Sequence, residues 1–189
     1  MAQLKLKDTI IMSDSSGTPA FTNDVSFPGH IIQIVQKVKS DAFVSAGNQS
    51  EQIITGYNCS ITPQKTGSKI LINYVFDTSS QGALTARSYM ERDIGDGGFS
   101  KLTGIMGTAA GGGAASLSHA GITSNYMQER FAGFYLDTPS YSSGQAISYR
   151  IGVQSESTTY LIHVGRTNRD SDAYHPRTAS ILILMEVSQ

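Results

Sequence analysis

Cysteine is nearly missing from this chain. Cys59 stands alone among 189 residues, which excludes an intrachain disulfide and a cysteine-rich zinc site. It reads either as a reactive thiol or as a small buried residue on a strand, the usual place for a free cysteine. Tryptophan is absent, and charged residues make up only 15% of the chain. Fourteen basic residues against fifteen acidic ones leave a net charge of −1, which excludes the electrostatic footprint of a general nucleic-acid binder or a polybasic membrane binder. No window of twelve residues carries an apolar stripe at helical spacing. The N-terminus mixes Lys5, Lys7 and Asp8 with Leu4, Leu6, Ile10 and Ile11, so no continuous apolar stretch of a secretory signal is present. The uncharged stretch from Gly104 to Met127 is mostly Gly, Ala, Ser and Thr, too weakly apolar for a membrane span. A soluble protein is expected.

Hydroxyls and glycine take the place of charge: Ser and Thr together number 41 and Gly 19, a composition nearer to secreted or virion β-proteins than to helical enzymes. The dominant period is two. Ile70, Ile72, Tyr74 and Phe76 alternate with Lys69, Leu71, Asn73 and Val75, and Ile147, Tyr149, Ile151 and Val153 alternate with Ser148, Arg150 and Gly152. Eight strands are predicted, at about 30–38, 51–61, 68–77, 84–94, 127–136, 146–154, 159–166 and 178–187. Between them lies turn chemistry such as Thr62-Pro63, Asp96-Gly97-Gly98 and Thr138-Pro139-Ser140. The expected fold is all-β, an eight-stranded antiparallel jelly-roll sandwich over 30–189 with an extended N-terminal arm over 1–29. A β-domain of this size buries roughly 70% of its unfolded surface and folds without staples. Ile70, Ile72, Tyr74, Phe76, Ile147, Tyr149, Ile151, Ile181, Ile183 and Met185 are expected to face inward, so that Asp at Ile72 or Ile183 prevents folding.

Two segments break the pattern. Residues 1–29 hold apolar patches around Leu4 to Met12 and Phe21 to Phe27, too small for a core of their own. They suit either an arm that docks on other chains, through Leu4, Leu6, Ile10, Ile11, Phe21 and Phe27, or a hairpin folded back on its own domain. Gly104 to Ser124, with Gly111-Gly112-Gly113-Ala114-Ala115, reads as one long loop.

Motifs for chemistry fail in turn. The glycine-rich stretch lacks the Lys-Ser or Lys-Thr of a phosphate loop. Asn168, Asp170 and Asp172 alternate like calcium ligands, but Ala173 and Ala179 stand where a calcium loop needs Gly and Glu, leaving only an irregular cation site near Asp170 to consider. No Gly-x-Ser-x-Gly occurs. The histidines are dispersed, with His163 inside a predicted strand. Asp77, Glu91, Asp93, Glu129 and Asp137 are spread over several predicted strands and identify no hydrolytic pair. No enzyme, cofactor or metal site is expected.

Several phrases, taken in order, carry a resemblance. They are Phe27-Pro28-Gly29-His30-Ile31-Ile32-Gln33-Ile34-Val35-Gln36, Cys59-Ser60-Ile61-Thr62-Pro63 leading to Ser68-Lys69-Ile70-Leu71-Ile72, and Arg92-Asp93-Ile94-Gly95-Asp96-Gly97. Tyr135-Leu136-Asp137-Thr138-Pro139, Ile147-Ser148-Tyr149-Arg150 and Leu184-Met185-Glu186-Val187 complete the set. Over about residues 27–189 the chain resembles small structural proteins of tailed bacteriophages, of the tail-fibre-like and capsid decoration kinds. The resemblance implies a jelly roll in a homotrimer on the virion surface, made in the bacterial host cytoplasm, with no catalytic residues. The Gly/Ala stretch at 104–124 departs from that pattern.

Three functions follow as expectations: a trimeric decoration (cement) protein tying major capsid subunits together, a short tail fibre or receptor-binding tip for a host glycan, and a phage-borne glycan hydrolase. About 29 residues precede the first strand, little for a fibre's anchor and shaft, which favours decoration. The longest loop contains no aromatic platform, although Tyr141, Tyr174 and His175 offer a small one.

Overall fold

Alternating apolar residues become strands where the sequence places them. The computed structural model describes residues 27–47, 49–109, 114–171 and 175–189 in full, and the backbone of 3–6, 9–13 and 20–21. In chain order the strands are β1 (Gln3–Leu6), β2 (Thr9–Ser13), β3 (Ala20–Phe21), β4 (Ile31–Lys39), β5 (Phe43–Val44), β6 (Gln52–Ile61) and β7 (Lys69–Ser80). Then follow β8 (Leu84–Ile94), β9 (Ser100–Lys101), β10 (Ser118–Ile122), β11 (Glu129–Asp137), β12 (Ile147–Ser155), β13 (Ile162–Val164) and β14 (Ser180–Val187). Among the described residues the only helix is one 3-10 turn at Thr103–Ile105.

The fold is an antiparallel jelly-roll sandwich. One sheet is built on β4-β14-β7, with β11 alongside β7 and the short β13 and β5 extending it. The other runs β10-β8-β12-β6, with β9 beside β8. Successive long strands change sheet at every step except β8 to β10, so that two layers of four enclose one core. That set of eight differs from the predicted one in a single member. Residues 118–122, expected to be loop, form β10, while the predicted strand at 159–166 is reduced to three residues. Ser118-His119-Ala120-Gly121-Ile122 has almost no apolar alternation to read. Its register on β8 supplies the order instead: Ser118 and Ser88 hydroxyls meet at 2.6 Å, and Ile122 is buried. Residues 110–113, the glycine-rich part of that stretch, lie outside the described residues.

The core lies between the sheets. Ile70, Ile72, Tyr74 and Phe76 of β7 face Tyr149, Ile151 and Ile147 of β12 across it, all buried as their alternation implies. Phe76 stacks on Phe131 at 5.0 Å and meets Tyr57 edge-on, and the Tyr57 hydroxyl donates to the carbonyls of Ile181 (2.7 Å) and Val75 (3.0 Å). Cys59 is buried on β6, and burial pushes its thiol pKa up, so it is packing rather than a nucleophile.

The last strand corrects one expectation. Ile181, Ile183 and Met185 do not face inward; Leu182 and Leu184 do, both fully buried, with Ser180 and Glu186 on the same side. A run apolar at every position has no parity to read, and a shift of one residue exchanges the two faces. The register on β7 decides it: Leu184 lies opposite Ile72, and Ile183 opposite Asn73.

Glu186, wholly buried at one end of the sandwich, explains the Thr62-Pro63 turn. Burial alone raises a carboxyl pKa, but the backbone N–H groups of Gln64 and Lys65 and the Gln33 amide all donate to this carboxylate at 2.7–3.0 Å and hold the pKa below its ordinary value. At the other hairpin, Gly95 and Asp96 both take positive φ (59° and 61°), closed by Gly97 N–H to the Ile94 carbonyl, the φ pattern of a type I′ turn. The three N-terminal strands pair as an antiparallel meander, β1-β2-β3, outside the ladders of the two sandwich sheets among the described residues.

Candidate functional site: an uncharged sheet face and a hydroxyl-lined cleft

Residues directly opposite across a ladder share a face, so registers assign the outer surface of the first sheet without ambiguity. Three rows cross β4, β14, β7 and β11. They are Val38–Ile181–Val75–Ala132, Gln36–Ile183–Asn73–Phe134 and Ile34–Met185–Leu71–Leu136. Apart from the amides Gln36 and Asn73, every position is apolar, and none is charged. Phe134 is 81% exposed, Ile34 60% and Val38 51%. The bidentate pair of Asp77 with Arg130 (2.8 and 3.1 Å) closes the face at one end.

The outer surface of the second sheet is the opposite in character. One of its rows reads Asn58–Arg150–Glu91–Lys101, with Arg150 donating to Glu91 at 2.7 Å and lying over the Phe99 ring. The next reads Ser60–Ser148–Asp93, with the two serine hydroxyls 2.6 Å apart. One side of the sandwich is polar and charged; the other is apolar between its charged ends, Asp77–Arg130 and Lys69.

This apolar face is the feature the sequence reading missed. Its signal is there: β4, β7, β11 and β14 carry apolar residues on both parities, where an antiparallel strand with one solvated face ordinarily alternates apolar with polar.

Four of the five carboxylates raised as hydrolytic candidates are engaged elsewhere. Asp77 and Glu91 are in the ion pairs above, Asp93 accepts from the Gly98 N–H at 2.9 Å, and Asp137 is held inside the sandwich by Arg92 and Tyr149. Glu129 begins β11 at the far end of that strand from Asp137. Asp170 fails as a cation ligand: Arg166 and Arg177 both donate to it at 2.7–3.0 Å and hold its pKa at about 2. Asn168 lies on the same loop, and Asp172 is outside the described residues. No metal-binding cluster occurs among the described residues.

No family model matches the chain, and no curated protein matches it. Among solved structures, 92% of the chain aligns with 41% of a chain in "Structure of infectious bursal disease virus Gx strain", at TM-score 0.46 and 12% identity. The chain thus spans about two fifths of that one's length.

A second surface feature is a cleft of about 350 Å³ lined by Thr66, Gly67, Thr138, Pro139, Ser140, Tyr141 and Gln189. The Tyr141 hydroxyl donates to the carbonyls of Lys65 (2.7 Å) and Ser68 (3.2 Å), which fixes the ring. Of the other residues named as an aromatic platform, His175 stacks on Tyr126 at 5.8 Å, away from this cleft's lining, and Tyr174 lies outside the described residues. Of the predicted arm contacts, Phe27 is exposed; the side chains of Leu4, Leu6, Ile10, Ile11 and Phe21 lie outside the described residues.

His163 is buried on β13, and burial, reinforced by the Arg166 guanidinium, lowers its pKa to about 4, while Asn168 and Asp170 pull the other way. The folded state therefore holds the neutral ring. Between pH 6.5 and 4 the unfolded chain takes up a proton that the folded chain refuses, so this contribution is complete above 6.5 and is lost as pH falls through that window. Its limit is on the order of 3 kcal/mol. Denaturant midpoints at neutral pH and near pH 4.5 should show His163→Gln losing less stability on acidification than the parent; equal losses would remove His163 from the account.

Proposed function

We propose that the chain is a non-enzymatic structural protein of a virion, a homotrimeric capsid decoration protein on the particle surface. The observation that carries this reading is the uncharged apolar face on a sandwich whose other broad face is polar and charged. Such a patch marks a surface made to meet protein, and its flatness suits a protein partner rather than a small ligand. The ordered set of phrases resembling phage structural proteins supplies the setting. In this reading the arm over 1–29 reaches the major capsid protein through Leu4, Leu6, Ile10, Ile11, Phe21 and Phe27. Each such side chain contributes roughly 1.5–3 kcal/mol when withdrawn from water, and three arms on one trimer act at high effective concentration.

Two experiments test it. Immunogold labelling of particles should decorate heads; label confined to tails would sink the decoration role. Deletion of residues 1–26 should leave a folded domain that no longer binds particles. A truncated domain that decorates virions as well as the full chain would remove the arm from the mechanism, and one that cannot fold would make residues 1–26 part of the domain.

The hydroxyl-lined cleft beside Tyr141 favours a second reading, a tail-fibre or receptor-binding tip that takes a host glycan. Retention of the protein on a glycan array, abolished by Tyr141→Ala with the fold intact, is the result that reading requires.

A further inference from the structure

The geometry points to a second copy of this chain as the occupant of the apolar face. The inference rests on the oligomeric part of the reading above, and it names the surface through which copies meet. Four strands about 4.8 Å apart and three rows about 6.8 Å apart give a flat footprint of roughly 400 Å². That is within the range of the largest patch on an ordinary monomer. Side chains that stand out of the plane, Phe134 above all, carry more surface than their footprint. The rest of the ~800 Å² per partner of a stable association has to come from the polar rim around it.

Composition selects the partner. Interfaces that form and dissolve are about as polar as the rest of a protein surface, whereas permanent contacts between copies resemble a domain core cut in half. Here ten of twelve positions are apolar and none is charged, the permanent kind. An uncharged face also meets its own copy without like charges opposing one another. Its two polar members are amides, and each can both donate and accept, so Gln36 and Asn73 find partners in whichever copy faces them.

The face also divides into matched halves. On β4 and β14 lie Ile34, Val38, Ile181, Ile183 and Met185 with Gln36; on β7 and β11 lie Leu71, Val75, Ala132, Phe134 and Leu136 with Asn73. Half against half between successive copies is a head-to-tail contact, which closes into a ring where the rotation between copies allows it; the three-fold closure is that of the reading above.

The test is light scattering on the purified full chain at micromolar concentration, with Phe134→Glu and Val38→Glu as separate variants. Both residues are more than half exposed, so neither change burdens the core; thermal unfolding verifies that each variant folds. Asn58→Glu, on the polar outer face, serves as control. The expected result is a trimer for the parent and the control, and monomers for both face variants. A parent dimer that both variants dissolve keeps the face and overturns the three-fold closure. A monomeric parent overturns the inference and gives the face to some other protein. A trimer that survives both substitutions overturns it too, while leaving the trimer reading intact. Head labelling is unaffected by any of these outcomes, so the virion reading and this one fail separately.

Discussion

Leu184→Asp and Ile72→Asp are each expected to abolish folding, whereas Ile183→Asp, one residue along the same strand, should leave a folded protein. Leu184 and Ile72 lie opposite one another across the ladder, both fully buried between the sheets. An aspartate there loses the packing of a large aliphatic side chain and must either carry an unpaired charge in an apolar interior or protonate to avoid it. Costs above about 4–5 kcal/mol come from this short list of causes, and a total stability of ~5–15 kcal/mol leaves little to absorb them. Ile183 projects from the other face, half-buried between Gln36 and Asn73, where a carboxylate in the separated copy stays in contact with water, so the variant is expected to lose the contact between copies and keep its own fold. Its replacement should cost only about 1 kcal/mol of strand propensity and partial burial. Circular dichroism and thermal melting of the three variants decide the matter. Equal loss of structure in all three would mean that the face assignment of the last strand is wrong.

That contrast also marks how far sequence pattern reaches. Where polar and apolar residues alternate, as at Ile147 to Val153, both the strand and its inward parity are legible, because only one register puts the apolar set in the core; at Lys69 to Phe76 the outward Leu71 and Val75 break the alternation, and Lys69 and Asn73 alone mark the outer parity. At Ile181 to Met185 the strand is legible and the parity is not. Each residue there suits either face, and the choice is made by partners distant in the sequence. Residues 118–122 fail for another reason: their small side chains carry no pattern, and their order comes from pairing with β8. The candidate site was hidden by the same ambiguity. Ile34, Leu71, Phe134 and Met185 each look like ordinary strand apolars in isolation, and only cross-strand registers collect them onto one exposed surface. Little was legible about chemistry, and the structure adds how four of the five scattered carboxylates are engaged: Asp77, Glu91 and Asp137 each meet an arginine, and Asp93 accepts from a backbone N–H.

One of those carboxylates carries the second large effect. Asp137→Ala should destabilise the protein by about 3–5 kcal/mol, the usual result of removing one member of a buried ion pair. Asp137 projects from β11 into the sandwich, 4% exposed, and accepts two bonds from the Arg92 guanidinium (2.7 and 2.9 Å) and one from the Tyr149 hydroxyl (2.7 Å). Arg92 and Tyr149 face each other on β8 and β12, so this cluster ties the two sheets together at one end. Alanine leaves a largely desolvated guanidinium and a buried phenol without their acceptor, and the cost arises more from those stranded donors than from the lost pair. Because the Arg92 side chain keeps some contact with solvent, the lower half of the range is expected. For a chain of this size that corresponds to roughly 10 °C in Tm. Asp137→Asn separates the two contributions, since the amide oxygen still accepts one bond but brings no charge; it should fall between alanine and the parent. The double variant Arg92→Leu with Asp137→Leu removes both charges at once and should recover much of the loss. If it instead costs as much as Asp137→Ala, the stranded charge is not the cause, and Tyr149 with its lost acceptor would have to be.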